Sequence, residues 1–382
     1  MITYGRQFID SKDIQAVTKA LKSKLITQGP TILKFENSLK LKLGFKYAIA
    51  LSSGTAALHL IGLAMGWKKG DVILTTPISF LATSNAIVYS GATPEFVDIE
   101  NTFYNIDTQK LEKKIKDLKK KRKKIRAIIC TDFAGHPCDW PTLKYLSNKY
   151  KLKLINDNCH SIGASINGDN KYSSKYSDCA SLSFHPVKGI TTGEGGAVLT
   201  NDKEIYEKIK MLRSHGVDRK KSYEPWKYDM KFLGFNYRIT DFQCALGLSQ
   251  LKKLNKFILK RKKIAKIYDK EFKNIKNISI PKVKNSVSHA YHLYPLKINF
   301  KKFNISKTVF FKKMKRRKIL LQVHYIPIYL QSFYKKKFKY NLNDLKVSKE
   351  FYDHEVSLPI YYDLKVYEQK KVINSIKNIL KI

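Results

Sequence analysis

The chain has 382 residues, of which 43% are hydrophobic, so it can bury a core and wholesale disorder is excluded. Its 73 lysines and arginines against 31 aspartates and glutamates give a formal net charge of +42, an imbalance common in proteins that bind polyanions. Only nine of these basic residues are arginine, the residue that nucleic-acid-binding proteins favour for contacts with bases. Lys, Ile, Asn and Tyr are all abundant and all have A/T-rich codons, so a codon bias can explain the charge without a nucleic-acid partner.

We therefore expect no nucleic-acid partner, and we keep a basic nucleic-acid-binding protein with salt-sensitive DNA binding as the alternative from another class. No apolar run approaches the roughly 18 residues that span a bilayer, and residues 1–6 lack a hydrophobic signal core. The five cysteines are scattered without a C-x-x-C pair, which predicts neither a disulfide framework nor a metal site. A cytoplasmic protein without a membrane partner is expected.

Short apolar runs alternate with helix-like stretches from about residue 45 to residue 215, which favours an α/β fold with a mostly parallel sheet covered by helices. The predicted strands lie at residues 47–51, 72–76, 94–98, 127–130, 152–155, 179–184 and 196–200. After about residue 250, a Lys-rich helical stretch (250–275) precedes shorter strands at 293–296 and 320–323. The sequence thus predicts a large domain over residues 1–252 and a smaller α+β domain over residues 253–382.

The first candidate site segment, Ser52-Ser53-Gly54-Thr55, joins a predicted strand to a predicted helix. Small residues at a helix N-terminus can bind a phosphate, although the same residues are also ordinary helix caps. Phe80 follows the next strand and could stack on a planar ligand or belong to the core.

Asp157 follows the strand predicted at residues 152–155. A carboxylate at the carboxyl end of a parallel strand points into the ligand crevice of an open sheet. There it could keep the nitrogen of a pyridine ring protonated, which makes the ring an electron sink. The alternative is an Asx-turn residue without a catalytic role.

Lys188 lies in the most specific segment, Ser183–Ala197, where a strand ends in a turn and a Gly-rich stretch leads to another strand. Most lysines of so basic a chain are surface charges. A lysine that leaves a buried strand for a dry site, however, loses basicity and can form Schiff bases with carbonyls.

Together these segments resemble the fold-type-I, pyridoxal-phosphate-dependent sugar aminotransferases of the DegT/DnrJ/EryC1/StrS family, which act on nucleotide-linked keto sugars. The resemblance covers nearly the whole chain and depends most on the motif S-F-H-x-x-K-x-I-T-T-G-E-G-G-A, with Gly234–Arg238 and Ala245–Gly247 in support. One departure is Asn156, where an acidic residue is common. We expect little consequence, because the residue before Asp157 should point to the opposite face of the strand.

The resemblance implies roles for individual residues. Lys188 would carry pyridoxal 5′-phosphate, Asp157 would pair with its ring nitrogen, Phe80 would stack on the ring and His160 would lie near its oxygen side. The phosphate would be held by Gly54, Thr55 and Ser183, and by Asn236 of a neighbouring subunit, which implies a homodimer. The substrate would meet Tyr4, the segment Lys24, Leu25, Ile26 and Thr27, and the segment Gln322, Val323, His324 and Tyr325.

Within the family, the sequence is most similar to the pseudaminic-acid branch. Its members aminate the C4 ketone of a UDP-linked 4-keto-6-deoxy-N-acetyl sugar, with glutamate as the expected amino donor. The supporting segments are Leu25–Gly29, Thr75–Phe80, His292–Pro295 and Gln322–Tyr329. The alternative within this class is amination of another nucleotide-linked keto sugar, such as a dTDP-hexose or UDP-4-keto-6-deoxy-GlcNAc. Lys188 itself favours amination, since family members that dehydrate their substrate lack this lysine.

Overall fold

The computed structural model describes residues 1–218, 224 and 226–382. Its helices are α1 (Ser11–Leu21), α2 (Pro30–Leu43), α3 (Gly54–Ala64), α4 (Leu81–Tyr89), α5 (Thr108–Lys120), α6 (Trp140–Tyr150), α7 (Tyr172–Tyr176), α8 (Lys203–Leu212), α9 (Asp241–Phe272), α10 (Lys307–Arg316), α11 (Ser332–Lys337), α12 (Lys346–His354) and α13 (Val366–Leu380). None of the helices in these residues is both long and apolar enough to cross a membrane.

The strands of the described residues include many short ones outside the main sheet. They are β1 (Ile2–Thr3), β2 (Tyr47–Leu51), β3 (Asp71–Thr75), β4 (Thr93–Phe96), β5 (Lys124–Thr131), β6 (Lys153–Asp157), β7 (Ser165–Ile166), β8 (Cys179–Ser183), β9 (Gly196–Thr200), β10 (Val217–Asp218), β11 (Asp229–Met230), β12 (Ile278–Ser279), β13 (Val287–Ser288), β14 (Tyr294–Ile298), β15 (Ile319–Leu320) and β16 (Glu355–Leu358).

A seven-stranded sheet in the order β2-β9-β8-β6-β5-β3-β4 forms the centre of the fold. Its strands run parallel except for β9, which lies antiparallel between β2 and β8. Helices cover the sheet, and β3 and β9 are buried along their whole length. Burial on both faces explains why these strands read as continuous apolar runs rather than as alternating patterns. The predicted fold class is confirmed.

The ends of several strands meet at one edge of this sheet. Thr131, the last residue of β5, pairs with Asp157, the last residue of β6. Ser183 at the end of β8 and Leu51 at the end of β2 both pair with Gly196, the first residue of β9. The segments that contain Gly54, Asp157 and Lys188 therefore all leave the sheet at this edge, where open α/β sheets bind ligands.

A three-stranded antiparallel sheet, β12-β14-β16, lies in the carboxyl-terminal part. Its core includes Phe310 of α10, Ile376 of α13 and Tyr268 of α9, together with Ile2 of β1, which pairs with β15. This sheet and its helices agree with the smaller α+β unit of the predicted fold class. The predicted boundary at residue 252 falls inside α9, and the division into two domains stays a prediction.

Helix α9 begins earlier than the Lys-rich stretch predicts. Thr240 and Gln243 form a capping box, in which each side chain bonds the other residue's backbone N–H, so the helix starts at Asp241. The strand predicted at residues 320–323 is shorter in the structure and begins one residue earlier. It pairs with the two residues of β1, which limits β15 to Ile319–Leu320.

Candidate active site

A cavity of about 610 Å³ opens at the edge of the sheet where these strand ends meet. Twelve of the site residues that the sequence predicts line it: Tyr4, Gly54, Thr55, Phe80, Asp157, His160, Ser183, Lys188, Gln322, Val323, His324 and Tyr325. These residues are far apart in the sequence, and the sheet edge brings them to one site.

Lys188 lies in the turn between β8 and β9, and its backbone N–H donates to the carbonyl of His185. Desolvation lowers the pKa of its amine, while the neighbouring Cys159 and Asp157 act in the opposite direction. A lowered pKa increases the fraction of neutral amine, which is the form that can act as a nucleophile or as a base.

Asp157 is 4% exposed and is held by hydroxyl groups of two neighbouring elements. Its Oδ2 accepts from Thr83 Oγ1 of α4 at 2.7 Å and from Thr131 Oγ1 of β5 at 3.3 Å. The backbone N–H of Cys159 donates to Oδ1 at 3.3 Å. These contacts fix the carboxylate at the edge of the cavity, where it can face a cationic group of a ligand.

His160 is buried beside Tyr325, whose hydroxyl lies 3.0 Å from His160 Nε2. Burial lowers the pKa of His160 well below its usual value, and the neighbouring Lys188 acts in the same direction. The ring is therefore neutral at neutral pH. Its Nδ1 is buried without a hydrogen-bond partner, which leaves a polar group for a ligand to satisfy.

The N-terminus of α3 forms a cradle of backbone beside Ser183. The Ser53 side chain caps the helix by accepting from the N–H of Ala56 at 3.0 Å. A Cβ atom added at Gly54 would lie 2.9 Å from Ser183 Cβ, so only glycine allows this close approach. The first N–H groups of a helix have no partner within the helix and can bind a phosphate.

These residues fit the cofactor that the sequence predicts. The α3 cradle suits the phosphate, Asp157 suits the pyridine nitrogen, and the unpartnered Nδ1 of His160 suits a polar atom on the ring. Phe80 also lines the cavity, with 56% of its surface exposed and therefore available to a planar ring.

Five predicted site residues lie outside this cavity. The segment Lys24, Leu25, Ile26 and Thr27 is exposed, and Leu25 lines a separate cavity of about 340 Å³ with Arg213 and Arg238. Asn236 is exposed and pairs with Ser214 in an isolated bridge. Within one chain, the structure does not bring these residues beside Lys188.

Three further residues of the site are not among the site residues that the sequence predicts. Thr83 and Thr131 hold Asp157, and His292 packs its ring 4.4 Å from the ring of His160. A signal existed for Thr131, because it ends the strand next to β6. The positions of Thr83 and His292 depend on tertiary packing, which no local pattern indicates.

Asn156 points away from the cavity into a buried polar network. Its Nδ2 donates to Asp132 Oδ2 at 3.2 Å and to Ser173 Oγ at 3.0 Å. Asp132 also accepts hydrogen bonds from Cys138, Trp140, Ser161 and Tyr172. Burial raises the pKa of Asp132, while these hydrogen bonds act in the opposite direction. The amide therefore supplies a donor to a carboxylate that is already buried.

Replacing Asn156 with aspartate is expected to reduce the free energy of unfolding at pH 8 by about 3 kcal/mol, because two buried carboxylates would then face each other. The pKa of the added carboxyl would be raised in the folded state, so folding would take up a proton. The loss should consequently shrink as the pH falls from 8 to 5. Urea denaturation across this range measures it.

Asn156→Leu is the matched control, since it removes the same hydrogen bonds without adding a charge. Its loss should depend much less on pH than that of Asn156→Asp. Equal pH profiles for the two variants would contradict the assignment of Asn156 as a donor to an ionised Asp132.

The chain is similar to known proteins in both sequence and fold. The sequence pattern of the DegT/DnrJ/EryC1/StrS aminotransferase family matches residues 7–377. A Campylobacter jejuni protein, UDP-4-amino-4,6-dideoxy-N-acetyl-beta-L-altrosamine transaminase, is 42% identical over 382 residues, covering 100% of this chain and 98% of the relative.

Two solved structures are similar over nearly their full lengths. Helicobacter pylori PseC, an aminotransferase involved in the biosynthesis of pseudoaminic acid, superimposes with a TM-score of 0.90 at 35% identity, covering 100% of this chain and 99% of PseC. The PLP form of Spr1654 from Streptococcus pneumoniae gives a TM-score of 0.89 at 26% identity, covering 99% and 98% of the two chains.

Proposed function

Because the chain belongs to the DegT/DnrJ/EryC1/StrS aminotransferase family, whose members use pyridoxal 5′-phosphate, we propose that it aminates the C4 ketone of a UDP-linked 4-keto-6-deoxy-N-acetyl sugar. Glutamate is the proposed amino donor, and the product would serve pseudaminic-acid biosynthesis. The named activity of the full-length Campylobacter relative carries this choice of substrate. The convergence of Lys188, Asp157 and the α3 cradle on one cavity supports the chemistry.

When bound, pyridoxal phosphate supplies a protonated pyridine ring that accepts the electron pair released when a carbon loses its proton. The residues of the chain would do the remaining work. Lys188 Nζ would remove the proton from the α-carbon of the amino donor and later deliver a proton to C4 of the sugar. Asp157 would keep the ring nitrogen protonated, and the α3 N-terminus with Ser183 would hold the phosphate.

We further infer a homodimer in which Asn236 and the segment 24–27 of one subunit complete the cavity of the other. The exposure of these residues in the single chain supports this arrangement, as does the exposed apolar surface of Leu25, Ile26 and Leu33. Sedimentation analysis should give twice the chain mass, and a monomer with full activity would contradict the inference.

The proposal is tested by incubating the protein with glutamate and a panel of UDP- and dTDP-linked keto sugars. Mass spectrometry should detect an amino sugar from the UDP-linked 4-keto-6-deoxy-N-acetyl substrate, and NMR should define its configuration at C4. A preference for dTDP sugars would favour the alternative within the class. The Lys188→Ala variant is the negative control, because any amino sugar formed in its presence would come from a reaction that does not depend on Lys188.

A further inference from the structure

A buried chain of hydrogen bonds runs from Glu355 through Ser357 to His324 at the wall of the cavity. Glu355 and Ser357 are two residues apart on β16, so their side chains share one face of the strand. Ser357 Oγ donates to Glu355 Oε1 at 2.5 Å and lies 2.8 Å from His324 Nδ1. The backbone N–H of His324 donates to Glu355 Oε2 at 2.9 Å. Glu355 and Ser357 are fully buried, and His324 is 5% exposed.

The single hydroxyl proton of Ser357 determines the direction of this chain. Since Ser357 gives its proton to Glu355, its oxygen can only accept at the contact with His324, so Nδ1 must carry a proton. Burial lowers the pKa of His324 to about 3, and the charge of Lys188 acts in the same direction. The ring is therefore neutral, and a neutral imidazole with a protonated Nδ1 has its lone pair on Nε2.

The ionisation of Glu355 maintains this direction. Burial raises its pKa to about 7, while the hydrogen bond from Ser357, the charge of Lys307 and the N–H of His324 oppose the rise. At pH 8 the carboxyl is therefore mainly ionised and acts as an acceptor only.

The other ring nitrogen of His324 is left for the cavity. His324 lines the cavity with Tyr4, Lys188 and Tyr325, and its ring lies 4.9 Å from the ring of Tyr4. Among the described residues, none forms a hydrogen bond with Nε2. A neutral acceptor in this position can bind a hydroxyl donor of a ligand without adding charge to the site.

We propose that Glu355 and Ser357 are positioning residues that hold His324 with its proton on Nδ1, so that Nε2 accepts a hydrogen bond from a hydroxyl group of the sugar substrate. The identity of the ligand as a sugar rests on the proposed function. The state of His324 does not, because the buried chain exists without a ligand. Glu355 and Ser357 would thus act on substrate recognition through His324, without contact with the cavity.

Replacing Glu355 with glutamine should reverse the chain without changing its shape. The N–H of His324 needs an acceptor, so the amide oxygen of glutamine should face it and the amide N–H₂ should face Ser357. Ser357 would then donate to Nδ1, and His324 would carry its proton on Nε2. The acceptor offered to the substrate would become a donor.

Nitrogen-15 NMR of histidine-labelled holoprotein at pH 8, without sugar, measures the position of this proton. The signals of His324 are assigned by their loss in His324→Gln. The wild-type ring should show a protonated Nδ1, and Glu355→Gln should show a protonated Nε2. Glu350→Gln is the matched control, because Glu350 lies nearby on α12 with its side chain 55% exposed, and it should give the wild-type pattern.

Kinetics with the keto sugar provide the second measurement. In Glu355→Gln, KM for the sugar should rise about 10-fold, because one buried hydrogen bond is lost and two donors face each other. The value of kcat should change much less, since the contact exists before and during the reaction. Ser357→Ala, which breaks the chain by removing one hydroxyl group and leaves Glu355 in place, should also raise KM and is the substitute if Glu355→Gln does not fold.

A wild-type His324 with its proton on Nε2, or a Glu355→Gln protein with the wild-type pattern, would overturn the proposal. An unchanged KM in variants with the altered NMR pattern would contradict the proposed hydrogen bond between His324 Nε2 and the sugar. Failure of the wild-type protein to aminate any keto sugar would instead count against the proposed function, because the NMR measurement requires no substrate.

Discussion

Replacing Lys188 with alanine is expected to lower the rate of transamination by about four orders of magnitude or more. The amine at this position lies in the cavity, where desolvation lowers its pKa and makes the neutral base available. No other lysine lines this cavity among the described residues. The measurement is amino-sugar formation by mass spectrometry, together with the visible absorption of the protein-bound cofactor, which should also change.

Rescue by added amines separates a proton-transfer role for Lys188 from a structural one. Small primary amines should restore part of the rate in Lys188→Ala, and the more basic amines should restore more of it. Lys113→Ala, which removes an exposed lysine on α5, is the matched control and should behave like the wild type. Substantial activity of Lys188→Ala without added amine would refute the assignment.

Replacing Asp157 with asparagine is expected to lower kcat by about 100- to 1,000-fold, a loss typical of removing one electrostatic contact from an active site. Asparagine has nearly the same shape and can still meet Thr83 and Thr131. It lacks the negative charge that would keep the pyridine nitrogen protonated. Steady-state kinetics with glutamate and the keto sugar measure the loss.

A cofactor methylated at its ring nitrogen provides a direct test of this reason. The positive charge on the methylated nitrogen does not depend on a protein carboxylate. The methylated cofactor should therefore reduce the difference in rate between Asp157→Asn and the wild type. Thr83→Val is the control for orientation, since it removes one hydrogen bond and leaves the charge of Asp157 in place. It should cost far less activity than Asp157→Asn, and a similar loss would indicate that orientation dominates.

Much of the fold and the centre of the site can be predicted from the sequence, for a physical reason. Parallel strands buried on both faces give unbroken apolar runs, and the residue that ends such a strand faces the ligand edge of the sheet. Asp157 could be predicted to lie at this edge on that basis. Lys188 is different, because a lysine in a turn has no distinctive local pattern. Only the specific motif at Ser183–Ala197 identifies it as a candidate site residue.

The supporting contacts could not be predicted, because they depend on packing between distant elements. His324 meets Ser357 through an isolated bridge between Gln322 and Ser357, and this pairing has no local signal in either segment. The segment 24–27 is a different case. The structure of one chain places it away from Lys188, and only in the homodimer that we propose would it meet residues of the other subunit.

Helix α9 has a consequence for how this protein can diverge. It packs Leu254 and Ile258 into the core beneath the large sheet and, further along, Tyr268 and Phe272 into the core of the carboxyl-terminal part. A recombination event near residue 252 would join segments of this helix that come from two different relatives. The joined helix would have to keep its apolar side chains directed toward both cores at once. Exchange of the carboxyl-terminal part between relatives should therefore succeed at the ends of α9 and fail within it.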